Sequence, residues 1–297
     1  MYKELAIIAP TASGKTELSI SLAHKLNAII LSLDSLSVYK KIDIASAKPT
    51  IKERDGIKHF GIDKIAPNQN FDVVDFIQEY KIAKQYAKEN NKNLIIVGGT
   101  GFYLKSMIDG LSKSPKISEN TKQIVEEKLE FLHSTYNMLY KIDEQYMKKI
   151  SSNDKYRIKK ALEIYEQTTL TPTQYFNENK PEPIVEKLKI FQIDTDVTIL
   201  RDRIFQRTKK MIKNGIINEV IELEHLYTRK PNCMKSIGIK ECLDFLDGRL
   251  DKKNLEYQIS THTAQLAKRQ RTFNKSQFCD IVSDNLKNLE KKILSMV

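Results

Sequence analysis

The sequence has little of what membrane and secreted proteins need. No apolar run approaches the ~20 residues that span a bilayer, and the short apolar stretch after Glu4 lacks the layout of a secretory signal. The three cysteines, Cys233, Cys242 and Cys279, form neither a CxxC pair nor an even disulfide set. We therefore expect free thiols in the reducing cytoplasm, and no membrane partner.

Glycine and proline are also scarce, with 10 and 8 residues, which excludes collagen-like and disordered compositions. The sequence contains no internal repeat and no low-complexity segment. Its 297 residues are 40% hydrophobic, which is enough to bury a core and allows one large domain or two small ones.

The charge is strongly basic. Lys and Arg number 49 against 38 Asp and Glu, which gives a formal net charge of +11. An excess of this size favours a polyanionic partner, and a nucleic acid before a membrane surface. The alternative is a generally basic proteome, in which this charge has no functional meaning.

The chain opens with the pattern of a phosphate-binding loop. Residues 4–9 form a short apolar run that fits a buried parallel strand, and Leu18, Leu22 and Ala23 have helical spacing. Between them lies a segment that we predict to bind a diphosphate or nucleotide: Ala9, Pro10, Thr11, Ala12, Ser13, Gly14, Lys15 and Thr16. A strand, a glycine turn, Lys-Thr and a helix are the context that a P-loop requires.

This arrangement suits an anion. Successive backbone N–H groups at a helix N-terminus form a nest for phosphate, and the helix dipole adds to the attraction. Lys15 supplies a positive charge, and the Thr16 hydroxyl is the predicted ligand of Mg²⁺. Ala9 stands where the usual motif has its first glycine, so we expect an ordinary backbone conformation there. The alternative is a chance match in a strand–helix turn.

Further strands point to an α/β fold. Residues 28–33, 93–97 and 189–194 read as strands, residues 76–87 as a helix between the first two, and residues 277–282 and 288–296 as a last strand and helix. Asp34 and the turn Gly98-Gly99-Thr100 follow two of these strands. The pattern predicts a doubly wound parallel sheet with ligands at the carboxyl edge of its strands. Asp34 would there accept a proton or hold a metal, or else serve only as a helix N-cap.

These segments and several later ones resemble the bacterial tRNA dimethylallyltransferases, the isopentenyltransferases that modify adenosine 37 of the anticodon loop. The resemblance runs through nearly the whole chain and is carried by residues 9–16, 34–40, 43–49, 98–103, 153–163, 236–241 and 267–270. The P-loop alone is generic. Asp34-Ser35 followed by Val38-Tyr39-Lys40, and later by Ala267-Lys268-Arg269-Gln270, makes the match specific.

The sequence departs from the family pattern at several positions. Ala9 replaces a glycine, Ser37 a glutamine, Ala45-Ser46 a Gly-Thr pair, Tyr156 a glutamine, Lys160 and Ala264 an arginine each, and Phe273 a tryptophan. Ser37 is the departure that bears on base recognition, because a hydroxyl cannot make the bidentate contact of an amide with adenine. None of these changes removes the phosphate loop or Asp34.

The resemblance implies transfer of a five-carbon group from dimethylallyl diphosphate to the N6 amine of adenosine 37. Asp34, Lys15 and Thr16 would then be the catalytic residues, with Mg²⁺ on Thr16 and Asp34 receiving the amine proton. Arg203 and Arg207 are four residues apart on one predicted helix face. They would reach the leaving diphosphate, or else belong to a solvated face.

The resemblance also implies a fold of the P-loop NTPase type with an inserted, mainly helical domain that binds tRNA. The expected catalytic core comprises residues 1–112 and 186–297, and the insertion comprises residues 113–185. The residues expected to contact the anticodon stem-loop are Asp34, Ser35, Leu36, Ser37, Thr100, Lys122, Tyr156, Arg157, Lys160, Lys268 and Arg269. Tyr140, Tyr146, Tyr156 and Tyr165 would stack on bases or pack in the helical core.

Two other functions fit part of the pattern. A small-molecule P-loop kinase that uses ATP would share Lys15, Thr16 and Asp34 but would not need a basic insertion. A nucleic-acid-binding protein without catalysis would explain the charge but not the phosphate loop. We expect a transferase that acts as a monomer, and whether ATP binds is left open.

Overall fold

The computed structural model describes residues 2–297. The chain divides into two compact units: the first joins the segment up to Ile108 with Val185–Val297, and the second is Asp109–Ile184. The sequence analysis placed the corresponding boundaries after residues 112 and 185. No helix among the described residues is long and apolar enough to cross a membrane.

A six-stranded sheet forms the centre of the first unit. Its strands are β1 (Glu4–Ile8), β2 (Ala28–Leu33), β3 (His59–Phe60), β4 (Asn93–Gly98), β5 (Lys189–Ile193) and β6 (Ile281–Asp284). Their order is β3-β2-β4-β1-β5-β6, and every pair is parallel. The predicted α/β class with a parallel sheet is confirmed.

Thirteen α-helices lie within residues 2–297. They are α1 (Lys15–Lys25), α2 (Val73–Glu89), α3 (Gly101–Asp109), α4 (Glu119–Glu130), α5 (Leu132–Ile142), α6 (Glu144–Met147), α7 (Lys155–Thr168), α8 (Pro172–Glu178), α9 (Val197–Lys213), α10 (Ile216–Tyr227), α11 (Ile239–Leu246), α12 (Lys252–Gln277) and α13 (Leu286–Met296). A 3₁₀ helix spans Asn232–Lys235. Helices α4 to α8 belong to the second unit.

The sheet is buried between helices because its central strands are apolar on both faces. Ile7 of β1 and Phe191 of β5 pack with Leu22 of α1 and Leu289 of α13. Helix α2 packs on β2 and β4 and buries Phe76. Near-continuous apolar strands of this kind are typical of parallel sheets that are covered on both sides.

A second core holds the loop that follows β2. Val38 and Ile42 of this loop are buried together with Ile216 of α10, Ile239 of α11 and Ile259 of α12. Because these helices come from the last third of the chain, the loop depends on distant segments for its position.

The second unit has its own core, formed by helices α4 to α7. Val125, Leu139, Ile158 and Leu162 are buried there. Three of the four tyrosines proposed as base-stacking residues, Tyr140, Tyr146 and Tyr165, pack partly buried against this core. Of the two alternatives, packing in the helical core describes these three, because their rings extend the apolar interior. Only Tyr156, with 70% of its surface exposed, keeps a free ring.

Two elements differ from the sequence analysis. The short strand β3 was not predicted, since two residues offer no periodicity. The last strand begins at Ile281 rather than at residue 277, because α12 continues through Gln277. Phe278 ends that helix: its N–H donates to the Asn274 carbonyl, and its buried ring meets Phe273 edge-on.

Candidate active site

The strand order brings three turns to one edge of the sheet. Strand β4 lies between β2 and β1, so the turn after β4 separates Asp34 from the phosphate loop. The N–H groups of Gly99 and Thr100 both donate to the carbonyl of Leu33, at 3.2 and 3.1 Å. Gly98 permits this close approach, because a Cβ at this position would overlap the Leu33 backbone.

The phosphate loop, residues 10–16, forms a cradle of backbone amides. Ala12 and Gly14 have φ angles of +64° and +90°, and α1 begins at Lys15. Left-handed residues in such a turn aim successive N–H groups at one point, where an anion binds. Ala9, by contrast, lies fully buried at the end of the strand, and its N–H donates to Gly98.

Three cations surround the cradle. The Lys15 ammonium donates to the Pro10 carbonyl at 3.4 Å. Arg203 and Arg207 reach across from α9, where Arg203 Nη1 donates to the Ser13 carbonyl at 3.4 Å and Arg207 Nη1 to the Thr11 hydroxyl at 3.0 Å. The predicted shared face of these two arginines is therefore turned toward the phosphate loop.

The electrostatics of the cradle favour an anion. Burial of the Lys15 ammonium, followed by repulsion from Arg207, lowers the pKa of Lys15 to about 8, and the Asp34 carboxylate offsets only part of this effect. Burial also lowers the pKa of Arg207, again against the attraction of Asp34. A bound diphosphate would place negative charge beside Lys15 and Arg207 and so stabilise their charged forms.

Asp34 ends β2 at the other side of this charge cluster. Its Oδ1 atom accepts hydrogen bonds from the N–H groups of Leu36 and Ser37 at 2.8 and 3.2 Å. Its Oδ2 atom has no hydrogen bond to any described residue. The first oxygen thus fixes the turn and the carboxylate, and the second is free to accept a proton.

One cavity of about 270 Å³ joins these groups. It is lined by Lys15 and Thr16 of the cradle, by Asp34 and by Thr100. Apolar side chains from α9, α12 and the segment before α11 complete the lining: Ile204, Met211, Ile237, Ile259 and Leu266. The cavity can therefore hold an apolar group between a cationic end and a carboxylate.

The rest of the loop after β2 forms a wall of this cavity. Glu219 of α10 accepts hydrogen bonds from three successive N–H groups of this wall, those of Asp43, Ile44 and Ala45, at 2.7–2.9 Å. The buried ammonium of Lys48 pairs with Asp43 at 2.6 Å and also bonds to Asp63. Burial would raise the pKa of Asp63, but the hydrogen bonds and charges of Lys48 and Arg54 bring it below its usual value.

The donor set near the cradle fits one magnesium ion. Thr16 is exposed, and its hydroxyl has no hydrogen bond to any described residue. The described residues contain no cluster of three or more His, Cys, Asp or Glu that would bind a metal alone. Mg²⁺ normally takes few protein ligands and completes its shell with water and phosphate oxygens. Thr16 beside a diphosphate meets this requirement.

The structure brings most of the predicted site residues of the first unit together. Thr11, Lys15, Thr16, Asp34, Ser35, Leu36, Ser37, Thr100 and Arg207 line the cavity, and Ala12, Ser13, Gly14 and Arg203 line an adjoining cavity of about 810 Å³ that Lys15, Thr16 and Arg207 also reach. Ala9 and Pro10 are buried, and neither cavity reaches them. Lys268 and Arg269 lie exposed on α12.

The predicted tRNA contacts of the second unit lie at and near its helix N-termini. Lys122 pairs with Glu119, Arg157 with Asp154 and Lys160 with Glu163, all within one helical turn. Tyr156 begins α7 with its ring exposed. Lys122 and Arg157 have partners that are themselves exposed or half-buried, so they lose little when they turn to a phosphate, whereas the partner of Lys160, Glu163, is buried.

Two residues that organise the site, Glu219 and Gln270, were not predicted from the sequence. Glu219 carried no signal, because an isolated glutamate on an amphipathic helix looks like a solvated side chain. Gln270 belongs to a motif that we noted, but only its basic neighbours were predicted to have a role. Its side chain lies between the phosphate loop and the glycine turn.

The fold and the site define an α/β protein of the P-loop type, with a cavity for an anion next to a carboxylate. The chain belongs to the IPP transferase family, whose model matches residues 37–277. It is 55% identical over 98% of its length to a tRNA dimethylallyltransferase of Aliarcobacter butzleri, and 53% identical over 98% to one of Sulfurovum; the alignments cover 98% and 97% of those relatives.

Solved structures give the same result. A eukaryotic dimethylallyltransferase acting on tRNA matches 99% of this chain and 77% of its own length, with a TM-score of 0.84 and 26% identity. The tRNA isopentenylpyrophosphate transferase of Bacillus halodurans matches 100% of this chain and 95% of its own, with a TM-score of 0.73 and 28% identity. Family membership sets aside the small-molecule kinase and the non-catalytic binding protein.

Proposed function

We propose that this chain transfers the dimethylallyl group of dimethylallyl diphosphate to the N6 amine of adenosine 37 in the anticodon loop of tRNA. The observation that carries the proposal is one cavity lined by both Lys15 and Asp34, whose opposite charges interact. One end suits a diphosphate, the other suits an amine that loses a proton, and the lining between them is apolar. The curated relatives bear the name of this activity.

The cradle end stabilises the leaving group. In the reaction the bond between the allylic carbon and the diphosphate oxygen breaks, and the electron pair leaves with the diphosphate. Lys15, Arg203, Arg207 and the backbone amides of the phosphate loop oppose the charge that develops there. Fixed charges and dipoles of this kind are commonly the largest contribution to catalysis.

The Asp34 end prepares the nucleophile. The N6 amine forms the new bond to the allylic carbon and gives one proton to the free oxygen of Asp34. Thr100 follows the glycine turn and lines the same cavity, and it would make a polar contact with the extruded adenine. General-base assistance of this kind is typically worth ~10²–10⁴ in rate.

Mg²⁺ bound by the Thr16 hydroxyl and by diphosphate oxygens would neutralise part of the leaving-group charge. The described residues contain no group of three or more His, Cys, Asp or Glu side chains that could hold the ion without the substrate. We therefore propose Mg²⁺ as the cofactor, held mainly by the substrate.

Each unit, taken by itself, has exposed basic side chains that would contact phosphates of the anticodon stem-loop. Lys268 and Arg269 are exposed on α12. In the second unit Lys122, Arg157 and Lys160 are at the surface, and the exposed ring of Tyr156 offers a stacking platform. Phosphate contacts would position the RNA, and the flipped adenine would enter the cavity. We propose a monomer that acts where tRNA is found, in the cytoplasm.

The same cradle should also bind other phosphates, so we expect ATP to compete with the prenyl donor. A cavity of about 270 Å³ is slightly smaller than the ~300–1,000 Å³ of most ligand pockets. It suits a five-carbon tail and one base better than an adenine nucleotide with a second substrate.

The test is an assay of the purified chain with dimethylallyl diphosphate, Mg²⁺ and an anticodon stem-loop RNA that carries adjacent adenosines. Nucleoside mass spectrometry should find dimethylallyladenosine only when donor, RNA and enzyme are all present. Parallel reactions with ATP in place of the donor should give no phosphorylated product. Unmodified RNA after long incubation with a folded enzyme would reject the proposal.

A further inference from the structure

Gln270 of α12 connects two turns of the candidate active site through one side-chain amide. Its Oε1 atom accepts a hydrogen bond from the N–H of Thr11 at 3.1 Å, and its Nε2 atom donates to the carbonyl of Gly99 at 3.0 Å. Thr11 belongs to the phosphate cradle, whereas Gly99 precedes Thr100 in the turn beside Asp34. The two bonds therefore bridge the donor and acceptor ends of the site.

The neighbouring backbone is shaped to admit this amide. A Cβ on Gly99 would overlap Nε2 of Gln270, so only glycine lets the side chain reach the carbonyl. Gly99 and Thr100 in turn donate to the Leu33 carbonyl, directly before Asp34. A continuous line of hydrogen bonds thus runs from Thr11 through Gln270 and Gly99 to the strand that carries Asp34.

The helix that carries Gln270 is itself held firmly. Ala267, one turn earlier, is buried with Leu200 and Ile204 of α9, and Ala12 of the phosphate loop packs against the same cluster. Asn274, one turn later, is buried beside Gly101, where a Cβ would lie 2.8 Å from its Oδ1 atom. Gln270 is therefore fixed from both sides along α12.

Among the protein side chains, a glutamine fits this position best. It offers a donor and an acceptor on one planar group at the length required. Glutamate lacks the donor unless it is protonated, lysine and arginine lack the acceptor, and asparagine is shorter by one methylene. Gln270 also lines the cavity, but the two hydrogen bonds of its amide that the structure shows both go to backbone groups of the protein.

We propose that Gln270 is a positioning residue that sets the distance between the diphosphate cradle and the acceptor turn. The inference rests on the proposed transfer reaction, in which the allylic carbon and the amine must approach to about 3–3.5 Å. A misplacement of about 1 Å can cost 10²-fold in rate. Loss of the amide should therefore reduce kcat more than the affinity for either substrate.

The first experiment compares Gln270→Met, which keeps the length and loses both hydrogen bonds, with Gln265→Met, an exposed control on the same helix. We expect kcat of Q270M to fall by about 10²-fold while both KM values change less than threefold. Q265M should match the wild type. Inorganic diphosphate should still raise the melting temperature of Q270M, because Lys15 and Arg207 are intact.

The second variant, Gln270→Glu, adds a readout that general destabilisation does not give. The carboxylate accepts from Thr11 but repels the Gly99 carbonyl, whereas the protonated acid restores the donor. The activity of Q270E relative to wild type should therefore rise as the pH falls. A ratio that falls as the pH is lowered, or a Q270M enzyme with wild-type kcat, would overturn the proposal. A loss confined to the KM for the donor would also overturn it, since Gln270 would then support the cradle alone.

Hydrogen exchange separates this inference from the proposed function. The Thr11 amide should be protected in the wild type and in Q265M, and should exchange faster in Q270M. This measurement needs no substrate, so it holds even if the wild-type enzyme modifies no RNA. Equal protection of Thr11 in all three proteins would show that Gln270 holds nothing in place.

Discussion

The phosphate cradle and the loop after β2 line the same cavity, yet different parts of the chain hold them in place. The cradle, residues 10–16, takes most of its shape from its own backbone, with two left-handed residues and a helix that begins within it, and α9 and α12 add hydrogen bonds to Thr11 and Ser13. The wall after β2 depends on Glu219, about 175 residues further along the chain, and on the paired charges of Lys48 and Asp63. A site can thus combine one locally encoded half with one half that exists only in the folded protein.

The largest expected effect comes from Asp34, and its two substitutions distinguish the role of Asp34 as a base from its role in fixing the turn. Asp34→Asn keeps the Oδ1 acceptor for Leu36 and Ser37 but removes the base, so kcat should fall by ~10²–10⁴ with little change in melting temperature. Asp34→Ala should lose the turn as well and melt earlier. Single-turnover kinetics and thermal unfolding measure both; near-wild-type turnover of D34N would remove Asp34 from the mechanism.

The second effect tests the remote support of the wall. Glu219→Ala leaves the N–H groups of Asp43, Ile44 and Ala45 without their acceptor, so we expect a loss of about 1–3 kcal/mol in stability. Denaturant unfolding gives this value, and the affinity for diphosphate should stay constant because the hydrogen bonds of Glu219 go to the wall and not to the cradle. The exposed control Glu222→Ala on the same helix should behave like the wild type. If E219A also weakened diphosphate binding, the cradle and the wall would not be held separately.

The third effect is specific to the cradle. The pKa of Lys15, lowered to about 8, means that the ammonium is charged below this pH and neutral above it. The KM for dimethylallyl diphosphate should therefore be constant below pH 8 and rise by up to about tenfold per pH unit above it. In Lys15→Arg the guanidinium stays charged throughout, so its profile should be flat. A similar rise in K15R would assign the titration to another group.

The smallest effect concerns backbone strain in the cradle. Ala12 has a φ of +64°, which glycine adopts without cost, but glycine also loses more entropy on folding. The two effects nearly cancel, so Ala12→Gly should change stability by less than about 1 kcal/mol. Gly14→Ala, with φ of +90° and a Cβ 2.9 Å from Leu286, should destabilise more. Thermal unfolding of A12G and G14A ranks their stabilities. A lower melting temperature for A12G than for G14A would contradict the role of the left-handed backbone in shaping the cradle.

The sequence predicts the locally encoded cradle better than the parts of the site that distant helices hold in place. The phosphate loop, β1, β2, β4 and β5 are contiguous patterns, so Lys15, Thr16 and the position of Asp34 at the sheet edge could be found without coordinates. The roles of Glu219 and Gln270 depend on which helix packs beside which loop, and no spacing within α10 or α12 reveals this. The tyrosines of the second unit show the same limit, because helical periodicity does not say whether a ring at the edge of a stripe is buried.

The crowding of Lys15 and Arg207 around a cavity with one carboxylate has a practical consequence. Because buried cations outnumber carboxylates in this site, phosphate or sulfate from a purification buffer should bind at the cradle. The bound anion should raise the melting temperature and compete with the prenyl donor. Kinetic constants for this enzyme would then depend on the buffer salt as much as on the protein, and a non-coordinating buffer is the appropriate reference.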